Sequence, residues 1–516
     1  MPTFPFISLR RTPPPRFRRI GWILCVCLAP ALAPTPASAK GPEKLKVIAL
    51  ADLGQQATGG RPQTPGNTVA TVHFAGEHHL LVTFPVRRLM KRLPDTLPTD
   101  DDRMIEAVLV DIPSGKVAAR TTWRVHDAGQ YLWDLGGGRF MLRFRSRLVT
   151  VEPLANLSKS DPFEEHKLLT FDDRIVGLIV SAESDLLTVE TTSRPLEDVT
   201  KVAIKTSDAD VIISFFRLTY TPETVIVSHA GSVRSSIPLA LPLTADGYLD
   251  ISEESKGRWL FDYLPHEGKK LELSPYDTTC FPRAVFVSRS EFVAFGCRGS
   301  LDKVEIGGFN MKAEEMWEQG FTDNFAYPNF SFAPASGRFA LGRALTSVSL
   351  SMLGQDQEPV GDLLTGQDIQ VYQAGTGRAV FHTVVTPVQR TGQNFSLSAD
   401  GMQIAVIRDA AIEIYQLPAL SSHDKQEVKA NREFALEHAT GPIRLPTRTR
   451  VAAAVAEATP PPVPSAPPPP APAASAQAAT PGKPQVIENP IPVGDVPTPE
   501  GRKRPTLYGP DESAPK

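Results

Sequence analysis

Three short runs in this chain carry residue types that bind metals or move protons. Glu77-His78-His79 sets two imidazoles beside a carboxylate, with His73 close upstream. A structural zinc site normally needs four ligands, and no second group of His, Asp or Glu stands nearby at ligand spacing. The run therefore reads as a polar turn before a strand, and a metal there would require a distant ligand. Asp100-Asp101-Asp102 and Asp172-Asp173 lack the Asp/Asn/Gly ladder of a calcium loop, so both read as solvated turns. Gly136-Gly137-Gly138 precedes a strand and not a helix, so the helix N-terminal amides of a phosphate cradle are missing; a hairpin turn is expected there. Trp133-Asp134 precedes that strand, and Trp133 reads as an ordinary packed tryptophan. No G-x-S-x-G elbow occurs. Asn156, Asn329 and Asn394 each open an N-x-S triplet, but the last two begin strands. No catalytic residue, metal ligand or cofactor site is assigned.

The elements that would position such residues are short strands. Asn394 to Tyr415 reads as three of them, with tight turns at Asp400-Gly401 and Arg408-Asp409-Ala410. The phrase recurs upstream: Asn329-Phe330-Ser331-Phe332-Ala333-Pro334 matches its opening, and Gly337-Arg338-Phe339-Ala340-Leu341 matches Gly401-Met402-Gln403-Ile404-Ala405. A small antiparallel sheet cannot bury both faces alone, so repeated sheets imply stacked neighbours. On these residues the chain resembles the WD40-like β-propeller repeats of the TolB kind, and the resemblance implies a β-propeller.

Seven apolar strand centres follow one another at residues 79–84, 138–143, 185–189, 247–251, 291–295, 338–341 and 402–406. Their spacing suits propeller blades and predicts an all-β fold of about seven four-stranded blades over 40–420. Outer hairpins are expected at 107–120, around Pro113-Ser114-Gly115, and at 369–382, around Gly375-Thr376-Gly377. The run Leu45 to Leu50 is a candidate to complete the last blade. A β-sandwich pair would not need a recurring turn-strand phrase.

The 516 residues carry a formal net charge of −3. Arg10, Arg11, Arg16, Arg18 and Arg19, an apolar core from Ile20 to Leu32 and Ala37-Ser38-Ala39 read as a cleaved signal peptide over 1–39, with cleavage after Ala39. Loss of those five arginines takes the mature chain to −8, a sign that repels nucleic acid. No later apolar run is long enough to span a bilayer. Residues 421–444 are expected as a linker or a short solvent-facing helix. Residues 445–516, with Pro460-Pro461-Pro462 and Pro467 to Pro470, are expected to be disordered and extended.

Removal of the signal leaves Cys280 and Cys297, symmetric about Ser288-Arg289. In an exported protein they are expected to form a structural disulfide worth roughly 3 kcal/mol; two buried free thiols are the alternative. Trp317, Phe321, Phe325 and Tyr327 fall in one connection with Phe330. They suit either an aromatic binding platform or satellite core between two blades. The resulting expectation is an exported, non-enzymatic propeller that binds a protein or a cell-envelope component in the periplasm or outside the cell. The alternative is a propeller enzyme with a metal-assisted, lactonase- or lyase-like site at the channel mouth.

Overall fold

The computed structural model describes residues 43–55, 70–86, 102–126, 129–193, 210–222, 224–235, 242–265, 269–299, 303–321, 325–348, 363–386, 393–408 and 410–437. The signal segment with Ala39, the proline-rich 445–516 region and Asp100-Asp101 lie outside them, as do the side chains of Phe325 and Tyr327.

The described residues open with β1 (Glu43–Ala49) and then form seven antiparallel sheets in succession. Blade 1 is β2 (Thr71–Gly76), β3 (His79–Pro85), β4 (Arg103–Asp111) and β5 (Lys116–Val125). Blade 2 is β6 (Leu132–Asp134), β7 (Phe140–Phe144), β8 (Arg147–Val151) and β9 (His166–Thr170). Blade 3 is β10 (Arg174–Val180), β11 (Leu186–Thr192), β12 (Val211–Tyr220) and β13 (Val225–Ser235). Blade 4 is β14 (Leu243–Thr244), β15 (Gly247–Ser255) and β16 (Arg258–Pro265), with an outer edge split into β17 (Leu271–Glu272) and β18 (Tyr276–Asp277). Blade 5 is β19 (Arg283–Phe286), β20 (Glu291–Cys297), β21 (Val304–Asn310) and β22 (Glu315–Gly320). Blade 6 is β23 (Phe325–Ala333), β24 (Arg338–Thr346), β25 (Leu364–Gln373) and β26 (Ala379–Val385). Blade 7 is β27 (Phe395–Leu397), β28 (Gln403–Arg408) and β29 (Ala411–Gln416), and β1 supplies its outer strand. The fold is a seven-bladed β-propeller.

All seven apolar centres read from the sequence are the second strands of their blades. That strand is flanked by strands on both edges and by neighbouring blades on both faces, so its apolar stretch is buried, although β15 runs on into exposed Glu253, Glu254 and Ser255. β20 is buried at every position, and β3 at all but its two ends. The outer strand has one free face and alternates instead, as β5 does along Lys116–Val125. The outer hairpins expected at 107–120 and 369–382 are β4–β5 and β25–β26.

Seven separate apolar clusters fill the seven seams between consecutive blades. The seam between blades 7 and 1 contains Ile48 from β1, packed with Ile412 and Ile414 of β29 and Leu80 of β3. β1 pairs with β29 in the register Ile48↔Ile412, and Lys44 Nζ meets Glu413 Oε1 at 2.5 Å.

Cys280 and Cys297 are bonded, with Sγ atoms 2.13 Å and Cα atoms 5.5 Å apart. The bond ties the approach to β19 to the end of β20. Trp317 and Phe321 do not form a free aromatic platform. Trp317 stacks on Tyr372 of blade 6 and donates from Nε1 to Ala374 O at 2.5 Å. Phe321 is buried in the same seam under the Arg343 guanidinium, 3.9 Å from its ring centre. Both are core between blades 5 and 6, because a Trp on an outer strand reaches the neighbouring blade where that blade offers Gly377.

After β29 the chain forms helix α1 (Ser422–Glu437). Ser421 caps it reciprocally: Asp424 N donates to Ser421 Oγ and Ser421 N to Asp424 Oδ2, each at 3.0 Å. The expectation of a purely solvent-facing helix is corrected here. Asp424 and Asn431 are buried, and the docked face is mixed: Arg378 Nη2 meets Asp424 at 2.9 Å and Asn431 Nδ2 meets Glu291 at 2.9 Å, while Phe434 packs against the core between blades 4 and 5. A search for an apolar stripe passes over such a face.

Closure by β1 predicts a contrast within one strand. Ile48→Ala, at a buried position, should cost about 2–4 kcal/mol in urea unfolding. Val47→Ala, at a position 51% exposed, should stay within about 0.5 kcal/mol. Equal, small effects at both positions would show that β1 does not close the ring.

Candidate functional site: the channel mouth

In every blade the inner strand turns back into the second strand at the same end of the propeller. Those turns share a tetrapeptide pattern: Ser181-Ala182-Glu183-Ser184, Thr244-Ala245-Asp246-Gly247, Ser288-Arg289-Ser290-Glu291, Pro334-Ala335-Ser336-Gly337 and Ser398-Ala399-Asp400-Gly401. Gly337 and Gly401 take left-handed φ of 61° and 67°, and Ser184 takes 57° in the matching place. The small first residue holds the turn: Ser398 Oγ donates to Asp400 Oδ1 at 2.6 Å and Gln403 N donates to Ser398 Oγ at 2.9 Å.

Six of the seven turns, all but that of blade 4, line a cavity of about 760 Å³ at the axis. It extends inward along the inner strands to Gln130, His73, Phe330 and Gln393. At about 3.3 Å per residue, Gln130 and Gln393 lie on the order of 15 Å above the turns. Gln393 Nε2 donates to Leu132 O at 2.7 Å and so fixes one wall. Val428, Asn431 and Arg432 of α1 reach the rim.

The groups gathered there are electrostatically perturbed. Glu291 is 3% exposed, and burial pushes its carboxyl up to about 7 against the hydrogen bonds from Ser288 Oγ (3.2 Å) and Asn431 Nδ2. Burial likewise raises Asp134 to about 6, although its carboxylate accepts from Gly136 N at 2.7 Å. Glu183 is raised by burial and then by Asp185. His73 is driven down to about 4 by burial, so its ring is neutral at pH 7; it stands edge-on to Phe140, and its Nε2 has no partner among the described residues. Arg289 bridges Asp185 and, at 3.7 Å, Asp246, tying the turns of blades 3, 4 and 5 together.

The sequence candidates fall as follows. Glu77-His78-His79 is the β2–β3 turn; Glu77 stands on the rim, His78 is exposed, and His79 faces Asp111 at 3.9 Å. Gly136, Gly137 and Gly138 form the blade 2 turn, all with positive φ, and a Cβ at Gly138 would lie 2.7 Å from Ala75 O of blade 1. Trp133 and Asp134 line the cavity. Asp172-Asp173 sits in the link between blades 2 and 3, at the other end of β10 from its rim turn. Asn156 and Asn394 are buried, Asn394 Nδ2 donating to Gln367 Oε1 at 2.5 Å.

Glu291, Glu183, Arg289 and Asn431 were not singled out from the sequence. For the first three the turn tetrapeptide was the available signal, since four of its five copies carry a charged residue; Asn431, on α1, had none. Among the described residues, the only His/Asp/Glu group close enough for a metal is His423, Asp424 and Glu427 on α1. Asp424 there is already committed to the cap and to Arg378. No described helix is long and apolar enough to cross a membrane.

A pH effect with a definite sign follows. The folded pKa of Glu291 lies above its unfolded value, so the folded state holds this proton more tightly and its contribution is lost as pH rises from about 4.5 to about 7. Lys312 and Glu427 face the same carboxyl with opposite effects. Glu291→Gln should match the parent in stability near pH 4 and exceed it at pH 8, by up to the order of 3 kcal/mol. Melting curves at the two pH values check this; an equal difference at both would show that Glu291 does not titrate there.

No protein-family model matches the chain, and no curated protein matches it. Among solved structures, it is similar to an acylaminoacyl peptidase from Pyrococcus horikoshii, at 10% identity over 71% of this chain and 55% of that one, with a TM-score of 0.39. The chain thus spans about half the length of that peptidase. It is also similar to the β-propeller domain of the Trilobed protease from Pyrococcus furiosus, at 8% identity over 71% and 98% of the two chains, with a TM-score of 0.38. A third likeness is to TolB from Acinetobacter baumannii, at 11% identity over 63% and 78%, with a TM-score of 0.30.

Proposed function

We propose that this chain is an exported β-propeller that binds a protein or envelope component at its channel mouth, with no catalysis of its own. The observation that carries the reading is the mouth itself: six blades and α1 contribute to one cavity of about 760 Å³. Concave sites with a few convergent polar groups among apolar walls are where proteins take ligands. The Ser–His hydrogen bond between His229 Nε2 and Ser232 Oγ, at 2.9 Å, lies elsewhere, on outer strand β13. Export to the periplasm or beyond is part of the proposal and rests on residues 1–39 and on a disulfide, which persists in oxidising compartments.

One observation favours a second reading. Buried carboxyls with pKa values of about 6 and 7 in one cavity are also what an acid–base enzyme assembles. Metal analysis of the purified chain separates the two: calcium or zinc near one per chain supports a metal-assisted enzyme, and metal-free protein whose melting ignores chelator counts against it.

For the binding reading, Lys40 to Lys516 is used to capture partners from the native envelope. A Glu77→Arg/Ala399→Trp double variant alters two exposed rim positions, and Ile226→Glu alters the outer edge of blade 3. A specific partner should be retained by Ile226→Glu and reduced at least tenfold by the rim variant. Equal retention by both would place the binding surface elsewhere.

A further inference from the structure

We infer that the mouth takes a cation on an aliphatic stem, a guanidinium or ammonium such as an arginine or lysine side chain. This rests on the reading of the mouth as a binding site.

The charge balance comes first. Five carboxyl groups line the cavity, Glu291 only partly ionised at neutral pH, against two guanidiniums, Arg289 and Arg432. Arg289 is already shared between Asp185 and Asp246, which adds two further negative groups beside the rim. Arg432 is an exposed side chain on α1. An anion entering here would meet a surplus of its own sign, whereas a cation supplies a partner to Asp134 and Glu183, whose charge burial opposes.

A second observation is independent of the acids. His73 lines the cavity, is 7% exposed and leaves Nε2 buried without a partner among the described residues. A buried polar atom left unpaired costs free energy, and in the tautomer with its proton on Nδ1 the neutral imidazole presents at Nε2 a lone pair that suits an N–H donor such as a guanidinium. Half-buried Phe330 on the wall suits the rest of the ligand: an aromatic ring packs an aliphatic stem and attracts a cation.

Two sources share this chemistry. One is a basic side chain of a partner. The other is this chain's own segment 438–450, which follows directly on α1 and carries Arg444, Arg448 and Arg450 with no Asp or Glu.

The test uses agmatine as probe and butylurea as its neutral control, in calorimetric titrations of Lys40 to Lys516. A parallel protein carries Arg444→Ser, Arg448→Ser and Arg450→Ser together. Agmatine should bind the triple-serine protein, butylurea should not, and adding Asp134→Asn or Glu183→Gln should each weaken agmatine at least tenfold. Melting curves confirm that each variant is folded; if one is not, the other carries the test. Agmatine binding at least tenfold tighter to the triple-serine protein than to the parent identifies the chain's own segment as a competing occupant, and equal binding identifies an external one. Absence of agmatine binding to the triple-serine protein, equal binding of butylurea, or indifference to both carboxyl substitutions overturns the inference. If the rim variant still loses a captured partner while agmatine fails to bind, only the ligand class is wrong. If agmatine binds and the rim variant keeps the partner, the pocket stands and the docking reading fails.

Discussion

A blade of this protein has two apolar faces and can bury both only with a neighbour on each side. That constraint forces a ring, and a ring must be closed by something. Here the closing element is β1, which pairs antiparallel with β29 and contributes Ile48 to the seam between blades 7 and 1. The first described strand and the last one therefore share a sheet, and all seven seams are apolar. Trp317 and Phe321 belong to this economy of seams: large aromatics on an outer strand and a connection are drawn into the gap between two blades, because a flat seam leaves space at its periphery.

Polar contacts fasten what the seams do not. Arg338 is fully buried and donates to Gln373 Oε1, Gly401 O and Pro418 O, at 3.2, 2.7 and 2.6 Å. One guanidinium thus joins blade 6, the turn of blade 7 and the chain on its way to α1. The helix is then held by a run of hydrogen bonds from Lys312 Nζ to Asn431 Oδ1, and from Asn431 Nδ2 to Glu291. Buried polar links of this kind specify one docking geometry where an apolar face would tolerate sliding.

The same contacts set the character of the mouth. Glu291, Asp134 and Glu183 are all held where burial opposes their charge, and His73 is held neutral. Sites that work against stability in this way concentrate where a protein binds or reacts. Local hydrogen bonds hold these turns: Ser288 Oγ donates to Glu291 Oε2, Gly136 N to Asp134 Oδ1, and Ser181 Oγ to Asp185 Oδ1 in the turn of Glu183.

The sequence by itself determined the blades. A strand enclosed on both edges and both faces carries an apolar run, and each of the seven apolar centres lies in such a strand, from His79–Pro85 to Gln403–Arg408. Pairing of Cys280 with Cys297 was legible for a local reason, since both flank one hairpin. The repeat at Asn329 and Asn394 was legible because turn geometry demands the same glycine twice. Only the tertiary structure decided the site. Glu291 and Glu183 are distant in sequence and read individually as strand-end or turn charges, and no local pattern says that a circular arrangement of blades brings them to one opening. Nor did the stretch from Ser422 to Glu437 announce its docking, because its fully buried residues are the polar Asp424 and Asn431, whose partners come from the turn before β26 and from β20, with only a thin apolar contribution such as Phe434. Ring closure brings six local turns to one cavity, and that step depends on contacts between blades far apart in sequence.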